Sequence, residues 1–195
     1  SSDVCSSDLL KEIELTEKYD LENYNISQTY SQISSYYINT NQPEKALEAL
    51  KKADATAYSP TQKISVQLEY VNYYSKFGDM QAAEKILNEC KTAFDQDKRL
   101  WSIKKRLYNI EYVYYLQSKQ YPKALEAAKK QEAEELNLSE SIQNSVHYLT
   151  KGKIYSNMGN MSEAIKYLQM YIEAEDSLKI ANEQMASSEF ATLLE

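Results

Sequence analysis

The chain has 195 residues and a formal charge of −7 at pH 7, with 29 acidic side chains against 22 basic ones. This acidic balance repels nucleic acid, and the densest basic run, DKRLWSIKKR, lacks the glycine or aromatic interleaving of a base-stacking platform. Three glycines exclude a glycine-rich phosphate loop, a single histidine gives no zinc signature, and no apolar stretch approaches the ~20 residues of a membrane span. We therefore expect no metal, no cofactor, no nucleic acid partner and no membrane contact for this fragment, and the scarcity of glycine favours helices.

The first nine residues, SSDVCSSDL, fit the codons of a sequencing-library adapter. We interpret residues 1–9 as a non-native scar, so that Cys5 carries no chemistry and the native start of the protein is missing. Cys90 is then the one remaining cysteine, which excludes an intrachain disulfide and leaves the redox compartment open. The next segment, LKEIELTEKYD, is predicted to be the end of a helix from a truncated leading repeat.

Four later stretches fall into register: YYINTNQPEKALEAL, YYSKFGDMQAAEKIL, YYLQSKQYPKALEAA and IYSNMGNMSEAIKYL. In each, a tyrosine precedes an alanine by nine positions, and an apolar residue follows that alanine by four. The pattern predicts four helical hairpins, in which the alanine lets two helices joined by a short turn cross closely. The tyrosines are Tyr37, Tyr74, Tyr115 and Tyr155, and the alanines are Ala46, Ala83, Ala124 and Ala164.

Polar residues and prolines mark where the helices begin. Pro43 suits the first helical position, and Asp79 and Asn160 suit an N-cap, where a side-chain oxygen accepts orphan N–H groups. Ser59, with Gln62 three residues later, marks another helix start between the first and second hairpins.

This repeat resembles the tetratricopeptide repeat, whose pattern combines an aromatic residue, Leu-Gly, Tyr, Ala and a late apolar residue. The resemblance covers residues 27–172, and it implies a right-handed α-solenoid of helical hairpins that binds proteins or peptides without catalysis. Lys151 and Glu111 depart from the pattern, because an apolar or small residue is usual at their positions. The fourth unit fits best at its front, through Tyr148, Gly152, Tyr155, Ala164 and Leu168.

Several residues that could suggest chemistry receive structural interpretations. The paired tyrosines at the ends of the first helices are expected to pack their rings on the partner helix. Cys90 aligns with Ala53, so we interpret it as a small buried hydrophobe rather than a nucleophile. His147 lacks the acidic neighbour of a phospho-acceptor histidine and any nucleophile to activate, so we expect it on a helix surface.

The resemblance implies that partners bind on a concave face built from the first helix of each hairpin. The lining expected there is polar with three cations, which would permit an extended peptide carrying an acidic group or a C-terminal carboxylate. A merely solvated inner surface is the alternative. The implied groove residues are Gln28, Ser31, Ser35, Asn39, Leu68, Asn72, Lys76, Arg106, Asn109, Val113, Gln117, Leu149, Lys153 and Asn157.

Residues 162–195 contain no glycine or proline and predict one long C-terminal helix with an apolar edge. This helix could cap the last repeat, as such arrays require. Its sequence, YLQMYIEAEDSLKIANEQ, is also similar to the segment that follows the repeats in bacterial membrane-anchored sensors, where a transmembrane helix comes next.

The sequence as a whole predicts an all-α protein: a repeat domain over residues 10–175 and a helical extension over residues 176–195. The expected function is non-catalytic binding of a protein or peptide, as the sensor portion of a bacterial signalling or transcription-regulating protein, for which the resemblance suggests a periplasmic location. A free-standing adaptor or assembly scaffold is the alternative, and an enzyme or a phosphatase regulator built on similar repeats is a third.

Overall fold

The computed structural model describes residue 11, residues 26–135 and residues 140–192, and each regular element in these ranges is a helix. The predicted leading helix lies outside the described residues, apart from the helical Lys11. The elements are α1 (Ile26–Asn39), α2 (Pro43–Thr56), α3 (Pro60–Phe77), α4 (Met80–Gln96), a 3₁₀ helix (Lys98–Ile103), α5 (Lys104–Gln117), α6 (Tyr121–Glu135), α7 (Glu140–Asn157) and α8 (Met161–Thr192).

The helices group into two compact units, one ending at Ser118 and one beginning at Lys119. In the first unit α1 packs on α2 and α3 packs on α4, so the predicted hairpins form there. The first helices of successive hairpins also touch, α1 with α3 and α3 with α5. In the second unit α8 packs on α7, and α6 also contacts α7. The all-α architecture of sequential hairpins with a long C-terminal helix is therefore confirmed.

The helix starts follow the predicted signals. Ser59 caps α3 in a full capping box, in which its side chain accepts from the Gln62 N–H and the Gln62 side chain accepts from the Ser59 N–H. Asp79 caps α4, since its Oδ1 accepts from the Ala82 N–H at 3.0 Å. Pro43 opens α2, where no backbone donor is needed.

The four hairpin turns share one backbone device. Each contains a residue with positive φ, five positions before the alanine of the following helix: Asn41 at 58°, Gly78 at 98°, Lys119 at 60° and Gly159 at 75°. A left-handed residue just after a helix reverses the chain while satisfying its last carbonyls. After α7, for example, the Gly159 N–H donates to the Ser156 carbonyl and the Asn160 N–H to the Tyr155 carbonyl.

The four predicted alanines are buried, and Ala46, Ala83 and Ala124 are fully inaccessible. Polar groups also hold the first hairpin together, because Ser27 Oγ donates to the Ala53 carbonyl at 2.8 Å and Ser34 Oγ to the Ala46 carbonyl at 3.0 Å. Such bonds contribute on the order of 1 kcal/mol each.

Close helix approach also explains Gly152 on α7. A Cβ added there would lie 2.9 Å from Cγ and Cδ2 of Leu168 on α8, a distance that real Cβ atoms essentially never show. The glycine of the repeat pattern is therefore required by the packing of α8 on α7.

The junctions between hairpins repeat one register. The residue eight positions after one alanine faces the residue thirteen positions before the next alanine. At one junction Lys91 Nζ lies 2.7 Å from Glu111 Oε1, and at a later one Lys151 Nζ lies 2.6 Å from Glu132 Oε2, with the two charges exchanged. These pairs explain why Glu111 and Lys151 depart from the repeat pattern, since each charge is matched by the preceding hairpin.

At the first junction the same two register positions hold Asp54 and Tyr70, which interact electrostatically. Burial raises the pKa of the Tyr70 hydroxyl, and the Asp54 carboxylate and Tyr74 raise it further. At the second junction burial alone would lower the pKa of Lys91, but hydrogen bonding and charge from Glu111, together with Tyr115, outweigh burial and raise it. Direct contacts thus show the register at two junctions, and an electrostatic interaction is consistent with it at the first.

Cys90 and His147 are both buried. Cys90 is fully buried among apolar side chains, which confirms it as a small core residue. The expectation that His147 lies on a helix surface is wrong, because only 5% of it is exposed. His147 therefore lies toward the packed side of α7. Its sequence neighbours, Val146 and Tyr148, did not indicate this burial.

Candidate functional site

The candidate site lies on the surface formed by α1, α3 and α5, which we call the α1–α3–α5 face. It carries the predicted groove residues of the first unit at varied depths. Leu68 has no accessible surface and belongs to the apolar core with Val71, so its side chain does not line a groove. Ser31 is also buried, and its Oγ donates to the Ser27 carbonyl at 2.9 Å. Gln28, Asn39, Lys76, Asn109 and Gln117 are exposed, and Ser35, Asn72, Arg106 and Val113 are half-buried.

The remaining predicted groove residues lie on α7, in the second unit. Lys153 and Asn157 are exposed there, and Leu149 is half-buried. Asn157 Nδ2 donates to the Lys153 carbonyl at 2.8 Å, a contact within the last turn of α7.

Three predicted residues of the α1–α3–α5 face meet at one carboxylate, that of Glu69 on α3. Ser35 Oγ donates to Glu69 Oε1 at 2.7 Å, and Asn72 Nδ2 donates to the same oxygen at 2.9 Å. Arg106 Nη2 donates to Glu69 Oε2 at 2.9 Å. The contacts thus join α1, α3 and α5 through a carboxylate that is 3% exposed.

Sequence reasoning did not single out Glu69. The available signal was its position in QLEYV, where the charged Glu69 is preceded by Leu68 and followed by Tyr70 and Val71. A buried charge requires a partner of opposite charge, so this placement predicts a cation nearby. The sequence could not identify that cation as Arg106, which lies 37 positions later.

The Glu69–Arg106 pair changes the electrostatics expected for the face. The prediction counted Arg106 among three cations that would attract an acidic ligand. In the structure its charge is balanced by Glu69, and its side chain is only 31% exposed. Only Nη2 is engaged in this contact, whereas a guanidinium carries five N–H donors. Arg106 therefore remains able to donate hydrogen bonds to a ligand, but without an excess positive charge.

A cleft of about 160 Å³ opens beside this pair. Its lining residues carry hydroxyl, amide and guanidinium groups, although most of the surface that they expose to the cleft is carbon. The volume is below the ~300 Å³ at which pockets begin to hold drug-sized molecules, so it suits a single side chain rather than a cofactor. The lining residues are Ser27, Gln28, Ser31, Thr61, Gln62, Ser65, Ile103 and Arg106.

In the part of the chain that the structure describes, Cys90 lacks the properties of a reactive thiol and the acidic residues form no metal-holding group. Burial, with a smaller effect from Glu89, raises the pKa of the Cys90 thiol to about 12. A catalytic thiol needs a lowered pKa and access to substrate, so Cys90 has the opposite properties. Among the described residues no three His, Cys, Asp or Glu side chains cluster closely enough to hold a metal ion.

Within residues 26–135 and 140–192, every helix is too short or too polar to cross a bilayer.

Comparison with known families gives two matches. Residues 6–128 match the family model described as "26S proteasome subunit RPN7", which covers more than half of the chain. Residues 148–177 match the model described as "Tetratricopeptide repeat". The second match covers most of α7 and the first half of α8, the unit whose sequence fits that repeat best.

Comparison with solved structures finds the crystal structure of MamA. The two chains are 20% identical, with a TM-score of 0.52, and the match covers 89% of this chain and 92% of that chain. At this identity the likeness shows a shared fold. Comparison with curated protein sequences finds no match.

Proposed function

The chain belongs to the family described as 26S proteasome subunit RPN7, and from this premise we propose that it is a non-catalytic scaffold that binds a polypeptide segment on its α1–α3–α5 face. The coarser part of this statement, a protein-interaction module of the tetratricopeptide type, follows from the matched repeat and the fold. Proteins built from such helical repeats are generally binding scaffolds rather than enzymes.

The observation that carries the proposal is the cleft beside Glu69. It combines a small volume, hydroxyl and amide groups set among mainly apolar surface, and a guanidinium already fixed in place by a buried carboxylate. Fixing Arg106 in advance removes part of the entropy that its long side chain would otherwise lose on binding. Polar groups held in one geometry are suited to selecting among polypeptide segments.

The cleft chemistry favours a segment with an amide or hydroxyl side chain over a strongly acidic one. A ligand carboxylate near Arg106 would also approach Glu69, which repels it. A serine, threonine, asparagine or glutamine side chain can accept from Arg106 and donate to cleft oxygens without that repulsion. We therefore infer that an uncharged polar residue enters the cleft, while the flanking segment lies along the exposed Gln28 and Asn109.

The scaffold is preferred to the sensor because the matched family is named for a subunit of a large assembly, which supports a role in holding other chains together. The sensor portion of a bacterial signalling protein is a second proposal, supported by one observation. Helix α8 has 32 residues, whereas α4, the second helix of an internal hairpin, has 17. A helix of that length could carry a conformational signal away from the repeats.

The binding proposal is tested by selecting ligands from a phage-displayed library of random short peptides on the full chain. We expect enriched peptides that share uncharged polar residues and bind with a Kd of about 10 µM or tighter. Gln28→Trp, which fills the cleft mouth, should weaken the selected peptides by about tenfold or more. Binding is measured by fluorescence anisotropy with labelled peptides.

The matched control is Lys51→Trp, which places the same ring on an exposed position of α2. It should leave the Kd unchanged. Equal loss of binding in both variants, or enrichment of peptides whose common feature is a run of acidic residues, would contradict the assignment of the cleft.

A further inference from the structure

Helix α8 carries an exposed apolar stripe formed by Met161, Ile165 and Ile172. Their exposed fractions are 55%, 57% and 56%, although residues of this kind are usually buried. The spacings of four and seven residues place them on one side of the helix. Ala164, by contrast, is buried at the crossing with α7, and Leu168 meets Gly152 there. The stripe therefore lies beside the packed side of α8, not within it.

The register of the repeats shows which residues of the earlier hairpins are equivalent to Ile172. Ile172 lies eight positions after Ala164, as Lys91 lies eight after Ala83 and Glu132 eight after Ala124. Lys91 and Glu132 each face a charged residue on the first helix of the following hairpin. Ile172 thus occupies the position that, at these two junctions, contacts the next first helix.

The chemistry at the α8 position differs from that of the earlier junctions. An isoleucine cannot pair with Glu111- or Lys151-type charges, and burying such a charge against it would be costly. A helix that docks here should instead present an apolar side chain opposite Ile172.

The charges around the stripe further limit the partner. Glu173, Glu175 and Asp176 are exposed close to Ile172, whereas the two nearby cations on α8 are Lys166 and Lys179. Two copies of so acidic a helix would repel each other, whereas a helix with basic flanks would be attracted.

We propose that this stripe is a docking surface for an amphipathic helix of another protein, with an apolar residue opposite Ile172 and Lys or Arg along its flanks. Ile172 lies at the same register position as Lys91 and Glu132, which contact the next first helix at the internal junctions. The proposal uses no residue of the cleft on the α1–α3–α5 face and does not depend on the function proposed for it.

The probe for this proposal comes from the chain itself. Helix α5 is the element that faces the equivalent position of α4, and it begins with the basic residues Lys104, Lys105 and Arg106. A synthetic peptide of residues 104–117 carrying Glu111→Leu therefore has both required features. The unmodified peptide, which retains Glu111, is its matched control. Binding of each labelled peptide to the full chain is measured by fluorescence anisotropy.

We expect the Glu111→Leu peptide to bind about tenfold more tightly than the unmodified peptide. In the Ile172→Lys variant the preference should reverse, because that substitution recreates the Lys91–Glu111 pairing. Ser177→Lys adds the same charge at an exposed position off the stripe and should preserve the original preference.

Three results would overturn the proposal. One is no measurable binding of the Glu111→Leu peptide at millimolar concentration. Another is an unchanged peptide preference in Ile172→Lys. The third is a concentration-dependent dimer in sedimentation velocity that Ile172→Lys dissolves, since the surface would then belong to a second copy of the chain.

Discussion

Among single residues, Glu69 has the largest consequences for the α1–α3–α5 face. Its carboxylate receives hydrogen bonds from three helices while almost wholly excluded from water. A buried ion pair adds little net stability compared with an apolar pair, but removing one partner leaves an uncompensated charge. Glu69 and Arg106 should therefore respond very differently to substitution.

Arg106→Ala should lower the free energy of unfolding by about 2–3 kcal/mol, below the usual range for fully buried pairs because solvent reaches Arg106. Glu69→Gln should cost under about 1 kcal/mol, since the amide can still accept from Ser35 and the remaining Arg106 can be hydrated. Urea unfolding followed by circular dichroism measures both values. Equal costs for the two substitutions would show that Glu69 does not depend on Arg106.

Cys90 predicts a pH dependence of stability. Its folded pKa, about 12, lies above the reference value of 9.0, so the folded protein holds the thiol proton more tightly than the unfolded chain. The associated stability is fully present below pH 9 and is lost as pH rises toward 12, at no more than about 1.4 kcal/mol per pH unit. The raised pKa values of Lys91 and Tyr70 act in the same direction at higher pH.

Cys90→Ala removes the thiol contribution and leaves the others in place. The free energy of unfolding of the unsubstituted chain should therefore fall more steeply between pH 8.5 and pH 10.5 than that of Cys90→Ala, as measured by urea titration at each pH. Parallel pH profiles for the two proteins would mean that the Cys90 thiol is not protected.

At the scale of elements, each of the four hairpin turns contains one residue in the left-handed conformation. That residue is glycine in only two of the turns. Gly78 and Gly159 adopt positive φ without a steric penalty, whereas Lys119 has a Cβ and a φ of 60°. A left-handed conformation costs a residue with a side chain roughly 1–2 kcal/mol. The turn before α6 is therefore strained compared with the turns that contain Gly78 and Gly159.

Lys119→Gly should raise the free energy of unfolding by about 0.5–1 kcal/mol, the relieved strain less the extra flexibility of the unfolded chain. Lys119→Ala is the control and should bring no gain, because alanine keeps the Cβ. Differential scanning calorimetry of the three proteins measures the effect. A lower melting temperature in Lys119→Gly than in Lys119→Ala would contradict the turn geometry.

The elements also show how far sequence reasoning reached. Local signals, such as the capping box at Ser59 and the N-cap at Asp79, predicted helix starts because they act within a few residues. The 3₁₀ helix between α4 and α5 was missed, since its sequence has helical propensity and only the packed chain requires the tighter turn. Contacts between distant residues, such as Glu69 with Arg106, were missed because propensity and spacing carry no information about charges that meet only after folding.

At the scale of the whole molecule, the repeats are equivalent units whose junctions obey one register. The alanine spacing predicted the hairpins, and the structure adds that the residue eight positions after Ala83, and the one eight positions after Ala124, contacts the next hairpin's first helix. The lysine precedes the glutamate in the Lys91–Glu111 pair and follows it in the Glu132–Lys151 pair. A hairpin placed at the wrong junction would therefore bring two like charges together. Such complementarity could fix the order of repeats, a form of specificity that repulsion provides.

The central claim, that hairpins meet at this common register, is tested most directly by a double-mutant cycle on Lys91 and Glu111. Lys91→Glu places a second carboxylate against the buried Glu111 and should cost about 3 kcal/mol or more in the free energy of unfolding. Lys85→Glu, an exposed position on the same helix, should cost under about 0.5 kcal/mol. Adding Glu111→Lys to Lys91→Glu reproduces the arrangement of Glu132 and Lys151, so the account predicts recovery of most of the loss and a coupling energy of about 2 kcal/mol. Additive losses, with no recovery in the double variant, would contradict it.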